Sequence, residues 1–325
     1  MEKSKIKKHK FINFLYPIMI ILGIFFLIIY PSIAIDAFFQ GLRIWATKLL
    51  PALLPFFILT KLLAYTPVIT KFGQVLSPIT SKLYGVGGVS GYIYIMSIIS
   101  GYPVGAKLTS DIYSANIITK NQAHTISAFT STSGPLFIIG TVAIGLYKNA
   151  KLGLVIILSH FLGALINGLL YRNKKTAKTL EYNNNQNQNP LQESMTSSIT
   201  SILIVGGFVA LFYMFLQLFI SLNLFTPITW LGSLFGIPEN ISLGIICGII
   251  EVTSGCIYLS YSPINNLILC TISTFLISFG GLSIHAQAFC YLKNFEMPYI
   301  KFFLQKLSHG IISTILSILL FLLIF

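Results

Sequence analysis

The most constraining feature of this sequence is a short polar stretch inside a long apolar run. Residues 100–107 read Ser-Gly-Tyr-Pro-Val-Gly-Ala-Lys, and apolar residues flank them on both sides. A membrane-spanning helix tolerates glycine and proline only where protein or a water-filled cavity satisfies the freed backbone groups. Lysine at membrane depth is costly and usually functional. The stretch therefore predicts an unwound tip inside a polytopic membrane protein, forming part of a solute site.

Composition supports a membrane protein. Hydrophobic residues make up 55% of the chain and charged residues only 9%, whereas soluble domains carry about 25% charged residues. We interpret the net charge of +13 as a topology signal in short loops, and therefore expect no nucleic-acid partner. The four cysteines lack metal-ligand spacing and are interpreted as packing residues, so we expect neither a metal nor a cofactor.

Apolar and polar runs divide the chain into four parts. Residues 1–41 comprise a basic N-terminus and a retained first transmembrane helix over 11–30. Residues 42–171 form a first membrane repeat with a hairpin at 89–113. A polar cytoplasmic linker over 172–195 leads to a second repeat over 196–325, which has a hairpin at 241–259. Residues 65–88 are polar and predict a turn-rich connection. The Asn/Gln-rich linker cannot bury apolar surface, which predicts mobility.

The two halves align at an offset of about 150 residues. The matched positions are Gly105 with Gly255, Gly134 with Gly281, and Ser159-His160 with Ser308-His309. We interpret the two histidines as helix-packing residues related by the repeat. Interrupted segments at corresponding positions of two repeats are the usual sequence pointer to a transporter's binding site.

Charge bias predicts the topology. If both hairpins re-enter the membrane, the chain makes about seven crossings, and most basic residues, Lys306 included, lie in loops on the side of the N-terminus. The N-terminus is then cytoplasmic and the repeats are inverted. The predicted fold is an all-α polytopic membrane protein with two inverted repeats, re-entrant hairpins and broken helices.

Small polar residues interrupt four apolar runs, at 100–107, 131–135, 251–255 and 278–281. These residues are the candidate substrate-binding groups. Unwound points expose backbone N–H and C=O groups, and nearby hydroxyls add donors and acceptors. Each Ser or Thr taken alone is more typical of interhelical packing. The candidates are Ser100, Gly101, Tyr102, Gly105, Lys107, Ser131, Ser133, Gly134, Thr253, Ser254, Gly255, Gly280, Gly281, His285 and Gln287.

Three ionisable residues have competing interpretations. Lys107 either snorkels to an interface, pairs with Asp111 one turn later, or contacts an anionic substrate. Glu251 is either an acid that couples transport to a proton or ion, or a structural acceptor for unwound backbone. His285 either binds solute, relays protons, or is a hydrogen-bonded core histidine.

No enzyme motif is present: the sequence has no His-Glu-x-x-His pair, no Gly-x-Ser-x-Gly elbow and no phosphate loop. We therefore predict a non-enzyme. A carrier of small metabolites explains the interrupted segments better than a non-transporting scaffold does. The expected partners are a small anionic solute and the lipid bilayer, and the sequence leaves association into a homo-oligomer open.

Four motifs carry a family resemblance: Ser-Gly-Tyr-Pro-Val-Gly-Ala-Lys at 100–107, Ser-Gly-Pro-Leu-Phe-Ile-Ile-Gly-Thr-Val at 133–142, Glu-Val-Thr-Ser-Gly at 251–255, and Phe-Gly-Gly-Leu-Ser-Ile-His-Ala-Gln at 279–287. They resemble the sporulation integral membrane protein YlbJ family, which is related to proteins carrying a nucleoside-recognition gate domain. The resemblance covers nearly the whole chain.

The resemblance implies a role in spore formation, in the outer membrane around the forespore. It implies passage of dipicolinic acid from the mother cell towards the forespore. Dipicolinate is a small planar aromatic dianion, for which Lys107 would supply positive potential while Tyr102 and Phe137 stack on the ring. The relation to gate-domain proteins leaves a nucleoside, or another small metabolite, as the alternative substrate.

Overall fold

The computed structural model describes residues 20–173 and 189–325, and the regular structure within these ranges is entirely helical. Four described helices are long and apolar enough to cross a membrane, or up to six if two sharply bent pairs each form one span. The all-α polytopic class is thereby confirmed, while the number of seven crossings stays a prediction. The basic N-terminus and most of the predicted linker lie outside the described residues.

The described part of the first half contains eight α-helices and one long π-helix. Their bounds are α1 Ile20–Ile29, α2 Pro31–Ile44, α3 Leu50–Ala64, α4 Val68–Tyr84, α5 Val89–Ser100, α6 Val104–Ser114, α7 Lys120–Thr130, the π-helix Leu136–Leu146, and α8 Ala150–Leu170. A π-helical turn, Trp45–Leu49, joins α2 to α3. Pro51, the second residue of α3, follows it, and its ring nitrogen cannot donate a helical hydrogen bond.

The second half contains seven α-helices. Their bounds are α9 Pro190–Ser221, α10 Thr226–Leu234, α11 Glu239–Ile250, α12 Val252–Ser260, α13 Asn266–Phe279, α14 Gly281–Leu292, and α15 Tyr299–Ile324. Helix α9 begins at Pro190 with the side chain of Asn189 capping its first turn. The last six residues of the predicted linker, 190–195, therefore belong to this helix.

One expected connection is a helix instead. Residues 65–88, whose polarity predicted turns, contain the 17-residue helix α4. Its polar and apolar residues segregate onto opposite faces, an arrangement typical of a helix lying at a surface. Gly85, in the left-handed conformation at φ +66°, ends it.

Each half contains a hairpin of two short antiparallel helices. In the second, Gly255 packs directly on Gly248, and Gly244 lies against Leu259, so the two helices run back to back from a tip at Glu251. In the first, Gly105 faces Ser97 in the same manner, around a tip at residues 101–103. A hairpin of short helices is therefore present in each half of the chain.

Each half also contains a helix broken near its middle. Helix α7 ends at Thr130 and the π-helix begins at Leu136 after five non-helical residues. In the second half α13 ends at Phe279, and Gly280 at φ +92° redirects the chain into α14. Only glycine adopts this conformation at low cost. The breaks fall where the sequence predicts them.

The third element of each repeat is an unbroken helix, α8 in the first half and α15 in the second. These two helices pack along each other at the centre of the molecule, where Gly163 lies directly against Ser313. Gly310 approaches the ring of Phe275 in α13. This central pair holds the two broken helices beside each other.

Candidate functional site

A cavity of about 200 Å³ lies where the two hairpin tips meet the broken helices. Eight of the predicted site residues line it, and they come from both halves of the chain. They are Ser100, Gly101, Tyr102, Ser133, Gly134, Glu251, Thr253 and Gln287. The structure therefore brings half of the predicted set together in one concave site.

The remaining predicted residues lie outside the cavity lining. They are Gly105, Lys107, Ser131, Ser254, Gly255, Gly280, Gly281 and His285. Gly105 is packed against the backbone carbonyl of Thr130, so its small size serves close helix contact. Gly280 and Gly281 form the break between α13 and α14.

The first tip meets the first broken helix through two glycines. Gly101 has a φ of +79°, and a Cβ there would lie 2.6 Å from the backbone nitrogen of Gly134. Any larger residue at Gly101 would separate these two segments. The adjacent Ser100 lines the cavity, and its buried hydroxyl has no hydrogen-bond partner in the described part of the chain.

Apolar and aromatic side chains form most of the cavity wall. Tyr102 and Phe137 both line it, together with aliphatic residues such as Leu53 and Val209. This composition is typical of small-molecule sites, in which a few polar groups fix the orientation of a ligand held by apolar walls.

Lys48 is an exposed basic residue at the cavity. It belongs to the π-helical turn between α2 and α3 and is one of the lining residues. No ion pair between described residues includes Lys48. Lys48 was not among the candidates from the sequence, and its place at the cavity depends on the π-helical turn Trp45–Leu49. Such turns often occur at functional sites.

Glu251 lies at the second tip and lines the cavity. Its Oε1 accepts a hydrogen bond from the Thr253 backbone N–H at 3.1 Å, and its Oε2 accepts from the backbone N–H and the hydroxyl of Ser254, both at 2.7 Å. Glu251 is thus the N-cap of α12. Of the two interpretations left open by the sequence, the structure shows the backbone acceptor, and the coupling role stays a prediction.

Lys107 belongs to a separate charged network on the far side of α6. Its ammonium lies 3.4 Å from Asp111 and donates to the hydroxyl of Ser197 at 3.1 Å. Lys61 lies 3.7 Å from the same aspartate and 3.5 Å from Glu193. Pairing with Asp111 is the second of the three interpretations of Lys107, and this network ties α3, α6 and α9 together.

His285 is enclosed by aromatic rings. Its Nε2 donates to the carbonyl of Phe279 at 2.9 Å, and its Nδ1 lies 3.4 Å from the hydroxyl of Tyr299. The rings of Phe279 and Phe302 flank it. This is the arrangement of a hydrogen-bonded core histidine. Gln287, two residues later, does line the cavity.

Two comparisons with known proteins give matches, and the second of them identifies the family. The family model described as "Gate: Nucleoside recognition" matches residues 46–150. The chain is 31% identical over 321 residues to the sporulation integral membrane protein YlbJ of Bacillus subtilis (strain 168), covering 90% of this chain and 78% of the relative. The chain belongs to the YlbJ family of sporulation membrane proteins.

A solved structure also resembles this YlbJ family member. It is CNTnw with two substitutions in an outward-facing state, at 15% sequence identity and a TM-score of 0.47, covering 95% of this chain and 85% of the other.

A buried lysine of this YlbJ family member, Lys306, was also not among the candidates from the sequence. The charge-bias argument counted Lys306 among loop lysines, but α15 begins at Tyr299 and the Lys306 side chain is only 1% exposed. Its ammonium donates to the Tyr102 hydroxyl at 2.6 Å and to the Ser131 carbonyl at 2.8 Å. Lys306 therefore supports Tyr102 from behind the cavity wall.

Charged groups also meet near the start of α15. Lys120 forms an ion pair with Glu296, and both the hydrogen bond and the positive charge of Lys120 lower the pKa of that exposed carboxyl. Elsewhere in the described ranges, no group of three or more His, Cys, Asp or Glu side chains is arranged to hold a metal ion.

Proposed function

We propose that this integral membrane protein carries a small anionic metabolite through the cavity, and that the metabolite is dipicolinic acid moving from the mother cell towards the forespore. The observation that carries the proposal is the position of Lys48. Lys48 is an exposed lysine among the residues that line the cavity, and no ion pair between described residues includes it, so we expect its ammonium to meet an anionic solute there.

The shape and chemistry of the cavity support a planar aromatic anion. Tyr102 and Phe137 offer ring faces for stacking, and aromatic pairs prefer offset-stacked or edge-to-face contacts. The hydroxyl of Ser100 and the side-chain amide of Gln287 add hydrogen-bonding groups. A carboxylate beside Lys48 would form a charge-assisted hydrogen bond, which is stronger than a neutral one.

Tips from both halves line the cavity, which supports alternating access. Residues 100–102 come from the first hairpin and residues 251–253 from the second. In many transporters the site lies between repeats that rock against each other. A movement of either hairpin would open the cavity to one side of the membrane, and Glu251 at the second tip is a candidate for coupling that movement to a proton or ion.

A nucleoside is the second candidate substrate. The matching family model is described by nucleoside recognition, and the neutral Gln287 and the carboxylate Glu251 both line the cavity. Amide and carboxylate groups suit base and ribose hydroxyl recognition. A neutral nucleoside, however, leaves Lys48 without a counter-charge.

Uptake by the purified protein in proteoliposomes tests the proposal. We expect saturable uptake of labelled dipicolinate above that of protein-free liposomes, and weaker uptake of labelled uridine. Running both with and without a proton gradient reports the coupling. Uridine uptake without dipicolinate uptake would favour the nucleoside carrier, and uptake of neither would favour a non-transporting scaffold of the spore envelope.

We also propose the outer forespore membrane as the location, because the chain belongs to the YlbJ family. We propose that the N-terminus lies on the mother-cell side, because it is rich in lysine. A fluorescent fusion observed during engulfment tests the location, and protease protection of an N-terminal tag tests the orientation. Association into a homo-oligomer stays a prediction, tested by mass measurement in detergent.

A further inference from the structure

Lys306 is a buried cation without a carboxylate partner. The side chain is 1% exposed, and none of the ion pairs within the described ranges involves it. An unpaired buried charge is very costly unless other groups solvate it. Its surroundings must therefore compensate the ammonium.

Three acceptors surround the ammonium. They are the Tyr102 hydroxyl oxygen at 2.6 Å, the Ser131 carbonyl at 2.8 Å and Nδ1 of His309 at 3.4 Å. The ammonium also lies 4.7 Å from the centre of the Tyr102 ring, a cation–π distance.

The hydrogen-bond directions fit a charged ammonium. The Tyr102 hydroxyl donates to the carbonyl of Ile277 at 3.2 Å, so its oxygen accepts from Lys306. Nε2 of His309 lies 2.9 Å from the carbonyl of His160 and must carry the proton, which leaves Nδ1 as an acceptor. An ammonium has three N–H donors and no acceptor, so it can donate to all three partners at once.

The position of the ammonium is one that attracts cations. Ser131 follows directly after α7, where the chain unwinds. The last carbonyls of a helix lack helical partners and carry partial negative charge. In broken-helix transporters, such unwound carbonyls and half-helix C-terminal ends coordinate Na⁺ or protons.

We propose that Lys306 is a tethered cation that fills a cation site at this junction. It holds the unwound end of α7, the first hairpin tip through Tyr102, and α15 together. The chain thus supplies with its own side chain the charge that an external alkali-metal ion would otherwise supply, and the junction requires no bound sodium.

Truncation with chemical rescue tests the proposal, and it does not depend on the transported solute. In Lys306→Ala the acceptors remain but the cation is gone, so we expect a thermal midpoint several degrees lower in detergent. Ethylammonium chloride should restore at least half of the loss and sodium chloride a smaller part, whereas tetramethylammonium chloride, which has no N–H donor, should restore none.

Lys301→Ala is the matched control. Lys301 lies on the same helix, and its ammonium contacts Nδ1 of His124 at 3.1 Å, but it is not at a helix break. We expect no difference between the three salts for this variant. An equal response of Lys306→Ala to all three salts would overturn the proposal.

The unmodified protein provides a test that does not require the variant to fold. With the site filled by Lys306, replacing sodium by choline at constant ionic strength should leave the thermal midpoint unchanged. A midpoint that rises specifically with sodium would show a vacant sodium-binding junction and contradict the tethered cation.

Discussion

The imidazole Nε2 of His309 lies 2.9 Å from the backbone carbonyl of His160, which stands 149 positions earlier in the chain. The two rings lie with centroids 4.9 Å apart. His160 in turn accepts a hydrogen bond at Nε2 from the backbone N–H of Ser133 at 2.8 Å, and its Nδ1 lies 2.8 Å from the hydroxyl of Ser278. Matched residues of the two repeats thus join both broken helices at the centre of the molecule.

We expect His309→Ala to destabilise the protein by about 1–3 kcal/mol, the usual cost of leaving a buried polar group unsatisfied. The substitution removes both the donor to His160 and an acceptor of Lys306. Thermal unfolding in detergent measures the effect. His309→Gln, which keeps an N–H donor, should lose less. If the alanine variant unfolds at the same temperature as the wild type, the contact between His309 and His160 does not stabilise the protein.

Lys48→Gln should weaken interaction with an anionic solute without destabilising the protein. A hydrogen bond to a charged group contributes about 1.5–3 kcal/mol, so we expect a rise in the KM for dipicolinate of roughly 10- to 100-fold. Lys48→Arg keeps the charge and should retain most of the affinity.

Lys107→Gln is the matched comparison, because Lys107 pairs with Asp111 outside the cavity. We expect reduced thermal stability and an unchanged KM. If the KM rises for Lys107→Gln and stays constant for Lys48→Gln, the positive charge of the site has been assigned to the wrong lysine.

Glu251→Gln distinguishes a role of Glu251 in capping α12 from a role in coupling transport to protons. Only one oxygen of the amide can accept hydrogen bonds, so part of the cap of α12 is lost and stability should fall by about 1 kcal/mol. If the carboxyl also couples protons, the pH dependence of uptake should become flat. Uptake assayed across a series of external pH values decides this, and an unaltered profile would assign Glu251 to capping alone.

Gly255→Ala should destabilise the second hairpin, because its Cβ would be forced into the backbone of Gly248. Overpacking of this kind costs about 1–3 kcal/mol. Gly207→Ala in α9 is the control, since no neighbouring atom lies within 4 Å of its added Cβ. It should be neutral or slightly stabilising. Equal midpoints for the two variants would show that the hairpin is not tightly packed.

The helix breaks were predictable from sequence because their causes are local. Gly101, Pro103 and Gly280 alter the backbone wherever they stand, so the tips and the broken helices fall where the residues indicate. Helix α4 was not predicted, because the polarity of residues 65–88 was considered and the spacing of the polar residues was not. An amphipathic helix is indicated by the periodic spacing of its apolar residues.

The Lys107–Asp111 pair was among the alternatives predicted from sequence, because the two residues stand one helical turn apart. The roles of Lys306 and Lys48 were not predictable, because they depend on how distant helices pack. Lys306 contacts Tyr102, 204 positions away. Lys48 lines the cavity from the π-helical turn between α2 and α3, and sequence spacing carries no information about such contacts.

The measurement that tests the central claim most directly is dipicolinate uptake after the cavity has been blocked. Thr141 lines the cavity from the π-helix and is exposed, so Thr141→Trp should fold normally while filling the space. Ile144→Trp places the same side chain at an exposed position of the same helix outside the lining. We predict that uptake is lost in Thr141→Trp and retained in Ile144→Trp. Undiminished uptake in a correctly folded Thr141→Trp protein would contradict the assignment of this cavity as the transport site.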